Sequence, residues 1–456
     1  MVSAAEQLAA NMNLGAFAKA EDLKKRLWFT LGALLVYRLG TFIPLPGINP
    51  VAFAEAFKSQ SQGILGMFNM FAGGAVERLA IFALNIMPYI SASIIMQLMS
   101  SVSPKLEALK KEGEAGRKQI NQYTRYLTVL LATMQAYGIA VGLEGSQSSS
   151  GLVVADPGWF FRLSTVITLV GGTMFLMWLG EQITQRGVGN GTSLIIFAGI
   201  VAALPSAIAG LFEMARTGAL STILLLALFA LMLVVVAAIV FFERAQRRLL
   251  IQYPKRQVGN KMFQGDASHL PLKLNSSGVI PPIFASSLLL LPVTAAQFSA
   301  GQGPEWLNSV VASLGYGQPL HMLVYVLLIV FFAFFYTAIV INPQETADNL
   351  RKYGGFLPGY RPGQQTADRI EYVLTRITVV GALYLGAVCL LPEMLISYAS
   401  VPQSFAAILG GTSLLIAVSV TMDTVSQVQS HLLAHQYEGL IKKSKLKGAS
   451  LPKGRK

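Results

Sequence analysis

Few residues in this 456-residue chain are placed to do covalent chemistry. His431 and His435 stand at i, i+4, a spacing that puts two imidazoles on one helix face. No third ligand follows nearby, so a solvated helix face is the plainer reading. The stretch GVGNGTS, residues 187–193, is glycine-rich but lacks the dinucleotide fingerprint, and the chain has neither a phosphate-binding GxxxxGK[ST] loop nor HExxH. A tight turn into a closely packed helix suits it better. Cys389, the only cysteine, lies in an apolar run, which argues against disulfides and against a multi-cysteine metal centre. Neither an enzyme nor a cofactor is expected. Any work done through this chain must draw its energy from another protein.

The elements around these residues belong to a membrane protein. Hydrophobic residues make up 53% of the chain and charged residues 12%, about half the charge of a soluble domain. About 20 apolar residues cross a bilayer as a helix, and ten such spans can be read: 27–43, 77–101, 123–143, 160–180, 192–211, 219–242, 277–295, 320–341, 374–392 and 404–429. The polar first 22 residues do not resemble a cleavable signal, so the first span is expected to act as its own insertion signal. Alternate segments carry four, six, one, seven, five and seven of the 35 Lys and Arg, while loops 296–318 and 393–403 carry none. Basic residues favour the cytoplasm, which puts both termini there. The expected organisation is a cytoplasmic N-terminus (1–26), a first half (27–211), an external connection (212–218), a second half (219–429) and a basic tail (430–456).

Ionisable residues within the spans are scarce: Arg38, Asp423 and the Glu77-Arg78 pair at one start. Ion coupling needs charges that bind and release ions, so an ion-coupled solute carrier is the weaker alternative. Two cytoplasmic loops, 243–276 and 342–373, are long and rich in Gly, Pro and aromatics. Long loops are functional or disordered, and turns such as Pro358-Gly359 and Pro362-Gly363 favour function. A large anionic partner or a motor protein would suit their charge.

Five spans in each half give the halves opposite topology. The second span of each is interrupted by proline, Pro88 in one and Pro281-Pro282 in the other. Interrupted segments at matching positions of inverted halves point to a pathway at their interface. The stretch FNMFAGGAVERLAIFALNIMPYISASIIMQLM (68–99) is the stranger of the two, with Gly73-Gly74 and Glu77-Arg78 inside an apolar run.

That stretch, together with GEQITQRGVGNGTSLIIFAGIVAALP, HLPLKLNSSGVIPPIFASS, NPQETADNLRKYGGFLPGYRPG and LGGTSLLI, resembles the SecY family, the channel subunits of the bacterial protein translocase. The likeness runs in order from Leu23 to Gly448. It implies an all-α membrane protein, with ten helices in two inverted five-helix halves around a central pore that a re-entrant plug helix closes. The function implied is translocation of unfolded secretory polypeptides, with lateral release of membrane segments, driven by SecA or the ribosome. SecE and SecG are the implied companion subunits, and signal-sequence-bearing chains and membrane lipid the other partners.

Residue by residue, the resemblance assigns the plug to about 63–75, including Gly66, Phe68, Asn69, Phe71, Gly73 and Gly74, with the true span starting after Gly73-Gly74. It assigns a ring of apolar side chains to Ile86, Ile90, Ile196, Ile283 and Ile416; such a ring blocks ions by dewetting. The i, i+4 spacing independently puts Ile86 and Ile90 on one helix face. The lateral gate would lie between the second and third spans and the seventh and eighth. Its polar candidates are Ser91, Gln97, Gln135 and Asn275, for which ordinary interhelical packing is the alternative. Docking of SecA or the ribosome falls to Lys255, Arg256, Lys261 and Arg361. The chain has Gly259-Asn260-Lys261 where relatives commonly have Gly-Arg-Arg, one positive charge fewer.

Overall fold

The computed structural model describes residues 20–60, 69, 72–144, 147–148, 151–218, 221–253, 256–258, 261–263, 267–298, 313, 318–399 and 411–448. The first half begins with α1 (Glu21–Gly40) and α2 (Pro50–Gln60). After a non-helical segment come α3 (Met87–Val102), the short α4 (Pro104–Lys111), α5 (Glu114–Glu144), α6 (Trp159–Arg186) and α7 (Gly191–Arg216). A two-residue pairing of β1 (Gln147–Ser148) with β2 (Gly151–Leu152) joins α5 to α6. The second half contains α8 (Thr222–Arg244), α9 (Ile280–Phe298), α10 (Pro319–Val340), the short α11 (Pro343–Lys352), α12 (Gln364–Ala399) and α13 (Gly411–Gly448). Ten of these helices, α1, α3, α5 to α10, α12 and α13, correspond to the ten expected spans, five in each half.

Six of them, α5, α6, α7, α8, α10 and α12, are long and apolar enough to cross a bilayer by length and composition alone. Several outrun the expected bounds. Helix α7 continues through 212–216, so the connection to α8 is shorter than the sequence suggested. Ser221 caps α8 by accepting a hydrogen bond from the Leu224 amide at 3.3 Å, and Asn190 caps α7 through the Thr192 amide at 3.2 Å.

The second span is corrected most. It does not run as a helix from residue 77; residues 72–86 form turns, and the helix starts only at Met87. Two non-glycine residues in this segment hold left-handed backbone, Leu79 at φ 42° and Asn85 at φ 50°, a conformation that ends any right-handed helix. The exposed backbone groups find partners in the chain leaving α1. The Leu45 amide donates to the Leu79 carbonyl at 3.0 Å, and the Ile81 amide to the Ile43 carbonyl at 2.9 Å. Non-helical backbone at membrane depth needs such partners.

The prolines are also corrected. Pro88 is the second residue of α3, and Pro281 the second of α9. Proline lacks the N–H that a first turn leaves unpaired and presets the helical φ, so at that position it opens a helix without breaking one. The matched prolines are therefore matched helix starts.

The long loop between α8 and α9 is a hairpin. Strand β3 (Gln246–Gln252) pairs antiparallel with β6 (Ala267–Lys273), and β4 (Arg256–Val258) with β5 (Lys261–Phe263) nearer the tip. The far end of β3 meets the second long loop: the Gln252 amide donates to the Phe356 carbonyl and the Phe356 amide to the Gln252 carbonyl, both at 3.0 Å. The two loops thus make one continuous surface.

Candidate functional site

The five isoleucines come from four separate places along the chain and meet in one apolar cluster. Ile86 caps the start of α3 and is fully buried; Ile196 on α7 and Ile416 on α13 are 5% and 2% exposed. Ile90 on α3 and Ile283 on α9 are half-buried against the same cluster. The first half supplies Ile86, Ile90 and Ile196, the second Ile283 and Ile416. Ile90 is the fourth residue of α3 and Ile283 the fourth of α9, so the two proline-opened helices present equivalent positions to the centre. Each buried isoleucine contributes about 1.5–3 kcal/mol when removed from water. The arrangement can exclude water and ions where the halves meet, without a polar group to coordinate them.

The segment before α3 lies beside this cluster. Gly73 adopts φ +64°, and a Cβ there would meet the Gly199 Cα at 3.1 Å, one turn beyond Ile196 on α7. Only glycine permits that backbone and that approach together. Arg38 of α1 donates through Nη1 to the Gly73 carbonyl at 2.6 Å. The Glu77 amide donates to Asn69 Oδ1 at 2.9 Å, and Asn69 Nδ2 to Glu77 Oε2 at 3.4 Å. The Arg38 and Arg78 guanidiniums lie 4.8 and 4.2 Å from the Phe42 ring centre. Arg38 therefore ties this segment to the first helix, Arg78 reaches the chain just after it, and Glu77 braces the segment from within. Of the six plug candidates, Asn69, Gly73 and Gly74 are described; Gly66, Phe68 and Phe71 lie outside the described residues. Sequence reasoning overlooked Arg38 and Glu77 as members of this group because their partners are a backbone carbonyl and an asparagine, neither of which carries a charge signal.

Helix α9 packs against both α3 and α5, which closes a seam between the halves. Ser91 and Gln97 on α3 and Gln135 on α5 are half-buried. Gln97 Nε2 reaches Ser93 Oγ of its own helix at 3.5 Å. Asn275 is placed differently from the expectation. It is 4% exposed and donates through Nδ2 to Glu243 Oε1 of α8 at 2.7 Å and to the Gly278 carbonyl at 3.1 Å. Those contacts lie within the second half, not across the seam, because Asn275 precedes α9 and faces the end of α8.

On the loop surface, Arg361 is exposed between Gly359 (φ +85°) and Gly363 (φ +108°). Its amide donates to Gln365 Oε1 at 3.3 Å, and its carbonyl accepts from Thr366 Oγ1 at 2.9 Å. The backbone is thereby fixed onto the start of α12 while the guanidinium stays in water. Arg256 and Lys261 lie on β4 and β5, paired strands of the hairpin, and Lys255 lies outside the described residues.

The glycine-rich stretch 187–193 is the α6–α7 turn. A Cβ on Gly191 would meet the Gly180 carbonyl oxygen, so the two helices touch backbone to backbone there. The Gly189 amide donates to Gln427 Oε1 of α13 at 2.9 Å. Among the described residues no cluster of three His, Cys, Asp or Glu could hold a metal.

Comparison with known proteins gives this architecture its place. A family model described as SecY matches residues 80–425. The protein translocase subunit SecY of Rickettsia felis is 57% identical over 426 residues, covering 93% of this chain and 97% of the relative. That of Escherichia coli K12 is 54% identical over 428 residues, covering 94% and 96%. Among solved structures, a protein-conducting channel superposes with a TM-score of 0.65 at 17% identity, over 90% of this chain and 92% of the other. Sec61 in a canine ribosome–channel complex does so with a TM-score of 0.62, at the same identity and coverage. With a family model over most of its length and relatives above half identity end to end, this chain belongs to the SecY family.

Proposed function

We propose that this chain is the protein-conducting subunit of a bacterial protein translocase, passing unfolded secretory polypeptides across the inner membrane and releasing apolar segments sideways into lipid. The observation that carries the reading is the buried cluster of Ile86, Ile90, Ile196, Ile283 and Ile416, drawn from both halves. A closure made only of apolar side chains suits a substrate with no fixed sequence, because it needs no specific partner in the chain that passes. The family of translocase subunits sets aside the ion-coupled carrier, and the bareness of the spans agrees.

In this reading the segment about 63–75 is the plug, held by Arg38 and by the Asn69–Glu77 contacts. The seam of α3 and α5 against α9 is the lateral gate, with Ser91, Gln97 and Gln135 on it; Asn275 anchors α9 from behind. Both termini face the cytoplasm, as the basic bias favours. The joined surface of the hairpin and the α11–α12 loop, with Lys255, Arg256, Lys261 and Arg361, docks the SecA motor or the ribosome, and SecE and SecG complete the complex. The canine Sec61 relative in its ribosome-bound complex supports the ribosome as a partner.

Docking is tested at Arg361. Guanidinium makes planar, two-pronged contacts with carboxylate or phosphate, and the site is remote from the isoleucines. Arg361→Glu is expected to leave folding intact and reduce SecA-driven export into vesicles by tenfold or more, with Arg361→Lys intermediate. Wild-type export by Arg361→Glu at equal channel amounts would remove the loop from the docking surface.

A further inference from the structure

The start of α12 carries a stacked row of cations and aromatic rings that begins beside the docking loop, at Tyr360, and runs away from it along the helix. The Arg369 guanidinium lies 5.5 Å from the Tyr360 ring centre and 5.3 Å from that of Tyr372; Arg376 lies 4.3 Å from Tyr372 on its own side. Arg369, Tyr372 and Arg376 are at i, i+3 and i+7, hence on one helix face. Along that face, about one and two further turns on, Val380 and Leu383 are 46% and 64% exposed. The row is therefore continuous with an apolar stripe that stays exposed among the described residues. Of the nearby acids, Asp368 accepts a hydrogen bond from Gln364 Nε2 at 3.0 Å, and Glu371 lies round the helix from the row by the 3.6-residue period.

We propose that this face is a binding site for an anionic glycerophospholipid of the cytoplasmic leaflet. Its phosphate lies between Arg369 and Arg376, and its acyl chains run along Val380 and Leu383. Seven residues of helix separate the two arginines by about 10 Å, a span one diacyl headgroup region can bridge. Stacking on Tyr360 and Tyr372 restrains both guanidiniums and so reduces the side-chain entropy lost on binding. Charge complementarity selects the lipid: two fixed cations with aliphatic surface directly below match an anionic headgroup joined to its tails, whereas a zwitterionic headgroup brings its own cation. The inference rests on the orientation proposed above, which puts the start of α12 in the cytoplasm.

The test uses the full chain purified with its companion subunits in phosphatidylethanolamine nanodiscs. Photoactivatable phosphatidylglycerol and phosphatidylcholine, carrying the same acyl-chain diazirine, are compared by the label each leaves on residues 376–387. Each arginine near an anionic headgroup adds about fivefold in preference. The phosphatidylglycerol probe is therefore expected to label this stretch at least tenfold more, Arg369→Gln with Arg376→Gln to abolish the difference, and the corresponding lysines to keep most of it. Equal labelling by the two probes, a preference that survives the paired glutamines, or cross-linking of this face to a companion subunit would each overturn the site. Gln364→Cys, probed with a membrane-impermeant maleimide, tests the orientation separately: labelling from the outer side would break the topology, while the probe comparison still decides the lipid preference.

Discussion

The two proline-opened helices are built alike and mounted differently. Both α3 (Met87-Pro88-Tyr89-Ile90) and α9 (Ile280-Pro281-Pro282-Ile283) put proline second and an isoleucine of the central cluster fourth. The chain before α3 is a run of turns tied to α1 by the Arg38 bond to the Gly73 carbonyl and braced within itself by the Asn69–Glu77 contacts. The chain before α9 is short and tied to α8 by the bond from Asn275 to the Glu243 carboxylate. Release of the first tie frees a neutral carbonyl that water can take over, while the Arg38 guanidinium keeps the Thr41 hydroxyl and the Phe42 ring beside it. Release of the second takes the amide donor from a half-buried carboxylate and leaves it only the Ser419 hydroxyl and the Lys273 charge nearby, and a lost donor to a charged group in that setting is more costly. The first mount suits a part that must detach, the second a part that must stay.

Substitutions at these mounts can break the comparison. The largest effect is expected for Gly73→Val. Its φ of +64° strains any side chain, and the Cβ must also displace Gly199, for a combined cost of about 3 kcal/mol or more. Thermal unfolding should show that loss, and resting ion current should rise as the segment is pushed off α7. Asn275→Ala should cost about 2 kcal/mol by taking the amide donor from Glu243, seen as lower thermal stability with the resting current still low. A leak as large as that of Gly73→Val would mean that both mounts seal the pore and the contrast is wrong. The smallest effect belongs to Gly278→Ala. Its φ of +63° is close to that of Gly73, but a Cβ there meets nothing within 4 Å, so only backbone strain of about 1 kcal/mol remains. Equal losses at Gly73 and Gly278 would show that the close approach to Gly199 carries no energy.

Much of this was legible before any coordinates. Span number and membrane class follow from apolar length and composition, which add up along the chain without knowledge of contacts. The start of α3 was not legible, because the backbone partners that hold 79–81 out of a helix are residues 43–45, far away in sequence. Pro88 and Pro281 were read as interruptions because a proline at a helix start and one inside a helix look the same until the start is known. Asn275 was assigned to the seam by type; its partner Glu243 lies across the intervening hairpin, and no local pattern joins them. The hairpin itself was read only as a long ordered loop, since its strands QRRLLIQ and ASHLPLK are too polar to stand out. The isoleucines were singled out by motif; taken alone, each would pass for ordinary packing.

The central claim is that five isoleucines from both halves form the ion seal. The direct measurement is single-channel current through the purified complex in a planar bilayer, with Ile86, Ile90, Ile196, Ile283 and Ile416 all changed to serine. A fluorescence-detected melt of the same sample confirms the fold. The account predicts a wetted constriction and a resting ion current well above that of the unaltered channel. A folded variant as tight as the unaltered channel would contradict it.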